Sequence, residues 1–302
     1  MTDYGLLAQQ LTQTGAQVCQ NEPLAAHTTF RIGGPARLFC RPQSEAQLAA
    51  VLARCRAADC RVYLLGRGSN TLFADEGFDG AVIALGGGLD EITADCCDTV
   101  VAGCGATLAQ VCLFAAAHGL GGLEFAYGIP GSVGGAVYMN AGAYGGEMKD
   151  VLARVRWLTP AGELRELERE ELGLGYRTSR FEREGGVILS ARFALAPSQP
   201  QAVRAAMDDF LRRRTEKQPL ELPSAGSTFK RPQGAYAAAL IEQCGLKGFR
   251  IGGAAVSEKH SGFVVNLGGA TAVDVLAVAD AVSRTVLEKT GYRLEKEIRV
   301  VR

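Results

Sequence analysis

The sequence predicts an α+β protein of two lobes, and three observations carry that expectation. Short β-like runs and segments of helical period are interspersed along the chain. Two glycine-rich loops, at 66–70 and 128–135, punctuate the larger part of it. The composition then changes at Pro197-Ser198-Gln199-Pro200, which reads as a boundary. At 302 residues the chain is long enough for two or three lobes with their own cores. We therefore expect an N-terminal segment over 1–30 that packs on the first lobe, a first lobe over 31–196 and a second lobe over 197–302.

Taken in order, residues 43–58 carry Leu48, Val51, Leu52 and Cys55 at helical spacing. Arg61 to Leu65 reads as a short buried strand running into the first glycine loop. Ala81–Leu85 and Thr99–Ala102 are β-like, and Ala106–His118 reads as a helix closed by Gly119. Val151–Thr159 and Glu163–Leu167 form a plausible hairpin about Ala161-Gly162, followed by a strand over Val187–Leu195. Past the boundary come helices over Gln201–Arg214, Tyr236–Cys244 and Thr271–Lys289. A strand over Gly262–Asn266 and a terminal strand over Ile298–Val301 complete the second lobe.

The first loop, Gly66-Arg67-Gly68-Ser69-Asn70, lacks the third glycine and following helix of a dinucleotide fingerprint, and no Gly-Lys-Ser/Thr follows it. It remains a strand ending in a nest of amides and small polar side chains, which suits a pyrophosphate. In the second loop, Gly128, Gly131, Gly134 and Gly135 punctuate apolar residues. Glycine leaves no Cβ between the main chain and a ligand. Pro130 fixes the entry to a turn, and Ser132 stands where a helix can begin, an arrangement that favours anions. Two such loops suit a dinucleotide better than a lone phosphate; a tight glycine corner in a β-rich domain is the plainer reading.

Composition excludes several classes of function. Lys+Arg and Asp+Glu both total 32, so the net charge argues for neither a nucleic-acid nor a membrane partner. No run approaches the roughly 18 apolar residues of a membrane span, and no signal-peptide pattern opens the chain, so a cytoplasmic location is expected. The three histidines, His27, His118 and His260, are too scattered for a metal site. The nine cysteines include no Cys-x-x-Cys pair, and the adjacent Cys96-Cys97 would make a strained disulfide. They read as small buried hydrophobes in a reducing compartment.

The two loops together resemble the FAD-binding domain of the vanillyl-alcohol-oxidase superfamily. More narrowly, the chain resembles the UDP-N-acetylenolpyruvoylglucosamine reductases. That likeness rests on His27-Thr28-Thr29-Phe30-Arg31-Ile32-Gly33-Gly34, Gly175-Tyr176-Arg177-Thr178-Ser179 and Ser224-Ala225-Gly226-Ser227-Thr228-Phe229-Lys230. Gly245-Leu246-Lys247-Gly248 and Leu294-Glu295-Lys296-Glu297-Ile298-Arg299 extend it, so it covers the chain from about residue 20.

The resemblance implies a noncovalent FAD held by Gly66, Arg67, Gly68, Ser69, Asn70, Gly128, Ile129, Pro130, Gly131, Ser132, Gly134, Gly135 and Asn140. NADPH is the implied co-substrate and a UDP-sugar enolpyruvate the substrate, in peptidoglycan precursor synthesis. The implied fold is a two-lobed FAD domain followed by an α+β substrate domain, with the terminal strand returning to the active site. On composition alone Ser227 is a turn serine; the resemblance makes it the general acid that protonates substrate carbon. Arg177 and Glu297 are implied to stabilise charge on the substrate carboxylate as it becomes an enediolate, with Glu295 the nearby alternative. An arginine fork suits that anion better than a lysine.

Tyr176 is implied to line the substrate site, although a plain stack on Arg177 is the other reading. Lys217 matches a lysine on the substrate diphosphate, or is merely the basic end of a helix with Arg212, Arg213 and Arg214. Arg231 stands where some relatives carry asparagine, and the passage Arg180–Val187 lacks the tyrosine loop of one subgroup. The rival functions are a flavin oxidase or hydroxy-acid dehydrogenase on the same domain, and a catalytically silent UDP-sugar-binding protein. The first is disfavoured by Ser69-Asn70, where many such oxidases carry a flavin-linked histidine. The second is disfavoured by the joint presence of Ser227, Arg177 and Glu297. The sequence implies no oligomeric state.

Overall fold

Helix ends follow local capping chemistry, and strands follow the apolar runs. The computed structural model describes residues 2–95 and 98–302. Cys96 and Cys97, and with them the question of their disulfide, lie outside the described residues. By backbone proximity the chain forms two units: residues 1–20, 38–67 and 80–214, and residues 21–37, 68–79 and 215–302. These seams differ from the boundaries at 30 and 196 expected from composition. The helix over Pro200–Lys217 begins at the last residue of the proline-rich segment, with Pro200 at its first position, where the missing N–H costs nothing, and the seam falls near the helix's far end, between residues 214 and 215. Two early segments, 21–37 and 68–79, also group with the C-terminal residues.

In the first unit an antiparallel five-stranded sheet runs in the order Leu164–Glu168, Leu152–Leu158, Val187–Ala194, Thr99–Gly103, Ile92–Asp95. The expected hairpin is its first pair, with Val155 opposite Leu167. The helix Glu45–Ala57 starts at Ser44, whose side chain accepts from the Gln47 amide, and buries Leu48, Val51 and Cys55. Leu108–Ala117 starts with a Thr107/Gln110 capping box. The strand Val62–Leu65 pairs in parallel with Phe78–Ala84, which places the first glycine loop at its exit. A helix over Tyr4–Thr12, capped by Asp3, escaped the sequence reading, since its buried face is only Leu7, Ala8 and Leu11.

In the second unit, four antiparallel strands run in the order Ser224–Ser227, Phe263–Asn266, Ala254–Val256, Arg250–Ile251. The helix Ala272–Thr290 buries Val275, Val278, Ala279, Val282 and Val286, one apolar face of period 3.6. Thr271 and Asp274 form its capping box, and Gly291, at φ 76°, ends it. The Asp75 carboxylate accepts from the amides of Ala272 and Val273, so an early segment caps a late helix. The terminal strand Arg299–Val301 pairs in parallel with Thr71–Phe73, directly after the first glycine loop.

Candidate active site

The two glycine loops meet within the first unit. A Cβ on Gly66 would stand 2.5 Å from the Ser132 hydroxyl oxygen, so a side chain there would separate the loops. The second loop is pinned from beneath. The Gly131 carbonyl accepts from the Leu108 amide at 3.0 Å, and the Val133 and Gly134 amides donate to Ala106 and Cys104 at 2.8 and 2.9 Å. A Cβ on Gly134 would press on that of Cys104 at 3.0 Å. Gly131 differs: the nearest atoms to its Cβ would be 3.8 Å away, and its φ is not positive. The protein's own packing therefore does not require a glycine there. A short helix, Val133–Tyr138, does begin after Ser132, whose hydroxyl makes no capping bond. Ile129 is half-buried, while Pro130 and Gly135 are exposed.

The first loop continues into the second unit. Gly68 has φ 62°, and a Cβ there would stand 2.2 Å from the His27 carbonyl oxygen. Asn70 binds the C-terminal segment twice: its Nδ2 donates to the Glu297 carbonyl at 3.2 Å, and its own carbonyl accepts from the Arg299 amide at 2.9 Å. Ser69 is half-buried and Arg67 exposed. The steric room at Gly131 and the meeting of the loops at Gly66 fit a dinucleotide cofactor.

Arg177 sits in the first unit, in a tight turn closed by reciprocal bonds between Gly175 and Thr178. Its φ is 55°, an uncommon conformation for a side chain this long. The turn is held in two ways that motif reading missed. Ser179, fully buried, donates to the Tyr138 carbonyl at 2.7 Å. Asn140 donates from Nδ2 to Glu147 and to the Gly175 carbonyl, both at 2.9 Å, and accepts from the Lys149 amide. Asn140, expected to touch the cofactor, thus spends both amide hydrogens in tying the helix after the glycine loop to the arginine turn. The Arg177 guanidinium donates to the Gly142 carbonyl at 3.3 Å and lies 5.5 Å from the ring centre of the exposed Tyr176.

Ser227 and Glu297 belong to the second unit, and backbone pairing places their segments side by side. The Glu297 amide donates to the Thr228 carbonyl at 2.8 Å, and Lys230 donates to the Glu295 carbonyl at 2.8 Å. Gly226, at φ 73°, forms the irregularity that shifts register between Ser224 and Ser227 and leaves Ser227 exposed beside buried Thr228. The Thr228 hydroxyl accepts from the Val264 amide and so locks the neighbour of Ser227. Glu297 is half-buried, whereas Glu295 is exposed and ion-paired with Lys230. Nothing in the local spacing of residues 224–230 and 294–299 reveals this pairing.

The remaining candidates divide. Lys217 is exposed at the last residue of its helix. Arg231 stacks 3.9 Å over the Tyr236 ring. His260 caps a turn: its Nδ1 accepts from the Gly262 amide, and burial pushes its pKa down, so the neutral ring persists. Among the described residues no cluster of three or more His, Cys, Asp or Glu could hold a metal. No helix among them is long and apolar enough to cross a membrane. Burial pushes the Cys40, Cys104 and Cys112 thiols up to about 12, so they stay protonated at neutral pH.

Comparison with known proteins agrees with this architecture. Residues 36–168 match a family model described as an FAD binding domain, and residues 218–301 match the C-terminal domain of UDP-N-acetylenolpyruvoylglucosamine reductase. The UDP-N-acetylenolpyruvoylglucosamine reductase of Agathobacter rectalis is 48% identical, with 98% of this chain and 96% of that protein covered. Its namesake in Clostridium perfringens strain SM101 is 46% identical over 100% and 98%. The crystal structure of the reductase from Thermus caldophilus superposes with a TM-score of 0.80 at 37% identity, covering 95% of this chain and 99% of that one. With that identity sustained over its whole length, the chain belongs to the UDP-N-acetylenolpyruvoylglucosamine reductase family.

Proposed function

We propose that this chain is an NADPH-dependent flavoenzyme that reduces the enolpyruvyl group of UDP-N-acetylglucosamine enolpyruvate, giving UDP-N-acetylmuramate for peptidoglycan synthesis. The observation that supports the reading is the backbone bond from Glu297 to Thr228, which pairs the Glu297 segment with the Ser227 strand in a chain of this family. FAD, held without a covalent bond by the loops at 66–70 and 128–135, supplies hydride relay between NADPH and the terminal vinyl carbon. The glycines of those loops let the main chain approach the cofactor, and Gly131 leaves space that the protein itself does not fill.

The net step breaks the carbon–carbon π bond and forms two C–H bonds. One receives the hydride that NADPH gives up, and the other receives a proton from the Ser227 hydroxyl, which solvent then replaces. A hydroxyl can donate here because the acceptor is an enolate carbon, a very strong base. Arg177 holds the substrate carboxylate as it gains charge, and its planar fork matches two oxygens at once. Glu297 orients the intermediate beside Ser227. Lys217 and Tyr176 bind substrate, Lys217 at the diphosphate. The reading implies a cytoplasmic location.

Anaerobic titration tests the reading. The purified protein is expected to be yellow, to release free FAD on denaturation, and to bleach with one equivalent of NADPH. UDP-N-acetylglucosamine enolpyruvate should then restore the colour and yield UDP-N-acetylmuramate in equal amount. A colourless protein, or colour restored only by oxygen, would refute it.

A further inference from the structure

Four of the nine cysteines, Cys19, Cys40, Cys55 and Cys60, gather in one part of the first unit, all of them as thiols. Two are brought together by the chemistry of a helix end. The helix Glu45–Ala57 stops at Asp59, a residue at φ 48°. The Asp59 amide donates to the Arg56 carbonyl at 3.1 Å, and the Cys60 amide to the Cys55 carbonyl at 2.9 Å. These two bonds define a helix stop in which one side chain of the last turn lies against the second residue past the cap. Those two residues are Cys55 and Cys60. Apolar side chains usually fill these places; here two thiols share a hydrogen bond. With standard bond lengths, the main-chain bond between them holds their Cα atoms within about 6.8 Å, inside the span of a disulfide. Cys55 is fully buried, and Cys60 is 8% exposed. Cys40 lies within electrostatic reach of Cys60 and is the competing partner.

The proposed reduction uses none of these sulfurs. We propose that Cys55 and Cys60 form an oxidation site, a dithiol that closes to a disulfide when a hydroperoxide reaches it. The less buried Cys60 reacts first. Its sulfur attacks one peroxide oxygen, the O–O bond breaks, and the hydroxide released takes the Cys60 proton and leaves as water. Cys60 is then a sulfenic acid. The Cys55 sulfur displaces its hydroxyl, which departs as a second water with the Cys55 proton, and the S–S bond forms. The two sulfurs lose two electrons between them, and the peroxide oxygens gain them. The hydrogen bond shared with Cys60, and then burial, push the Cys55 thiol up, so thiolate is scarce at neutral pH and closure is slow. The new bond ties the end of the helix Glu45–Ala57 to the start of the strand Val62–Leu65, which runs into the first glycine loop.

The test treats the full chain with hydrogen peroxide, once folded and once in urea, alkylates the remaining thiols and maps the tryptic peptides by mass. Trypsin cuts after Arg54, Arg56 and Arg61, so the disulfide joins Cys55-Arg56 to Ala57–Arg61. The folded protein should give that linked pair as its first oxidation product, two hydrogens lighter than the separate peptides, and lose it to dithiothreitol. Cys40→Ser should still give the pair. Cys60→Ser should leave Cys55 unoxidised under the same treatment, because attack begins at Cys60. Closure should raise the Tm of the wild type by about 2–6 °C, the gain of a short constrained loop, and leave that of Cys60→Ser unmoved. A link from Cys40 to Cys60, sulfinic acid at Cys60 without a cross-link, or a linked pair that forms only in urea would overturn the proposal. So would an equal or lower Tm after closure, which would mark a bond that the native helix end does not accommodate. Should Cys60→Ser fail to fold, the maps of wild type and Cys40→Ser decide the matter.

Discussion

The glycine loops of the first unit and the Ser227–Glu297 platform of the second are built by opposite means. The loops owe their shape to missing side chains. A Cβ on Gly66 would meet the Ser132 hydroxyl at 2.5 Å, one on Gly134 would press on Cys104 at 3.0 Å, and Gly128 has no room while Arg214 stays in place; Gly131 and Gly135 have space to spare. The platform owes its shape to long-range backbone bonds, Glu297 to Thr228 and Asn70 to the segment 297–299. Absence of atoms can be read in a sequence, because glycine is written there. A bond between residues far apart in the chain is written nowhere locally.

That difference yields predictions, beginning with the largest. Gly131→Val should fold normally, since its Cβ meets nothing closer than 3.8 Å. It should nonetheless lose FAD affinity by about 100-fold or more, a cost of about 2.7 kcal/mol or more. Equilibrium dialysis against FAD, with circular dichroism as the folding check, measures both. Normal affinity would remove this loop from the cofactor site.

Arg177→Lys should leave FAD content intact and lower kcat/KM about 100-fold, because one donor to the developing charge is lost. Its φ of 55° makes backbone strain the competing explanation. Arg177→Asn, in a residue type that tolerates that φ, should be at least as inactive if charge is what matters. Recovery of turnover in the asparagine variant would point to strain instead.

Lys217→Gln should raise KM for the UDP-sugar about tenfold with kcat nearly unchanged, as expected for lost ground-state binding of a phosphate. Steady-state kinetics at saturating NADPH separate the two constants, and an unchanged KM would leave Lys217 as helix-end charge.

The smallest effect concerns the buried thiols. Their folded pKa of about 12 lies above the ordinary thiol value, so the folded state holds protons that the unfolded state sheds. Their contribution is full below about pH 9 and is lost as pH rises from there through 12, by about 1.4 kcal/mol per pH unit for each thiol at most. Cys104→Ala should therefore lose stability less steeply over that window in urea melts at graded pH. An identical slope would contradict the burial argument.

Much of the fold was legible. Apolar periodicity gave the helices over 45–57, 108–117 and 272–290, and the hairpin over 152–168 followed from alternation about a Gly turn. The unit seams were not, because a Pro at a helix's first position resembles a linker, and segments 21–37 and 68–79 join the second unit through pairings across the chain. Within the site, the bonds of Asn140 to Gly175 and of Ser179 to Tyr138 were not legible, since their partners are backbone carbonyls far along the chain.

The central claim is that the chain divides its labour, with hydride handling at the loops and proton delivery at Ser227. Stopped-flow absorbance of Ser227→Ala measures the two halves separately. Bleaching by NADPH needs no proton at the substrate carbon and should proceed at a near-normal rate with full FAD content. Return of the colour on adding the enolpyruvyl substrate should slow by about 10²–10⁴-fold, the usual contribution of a positioned general acid. Equal slowing of both halves, or of neither, would contradict the assignment of Ser227 as the proton donor.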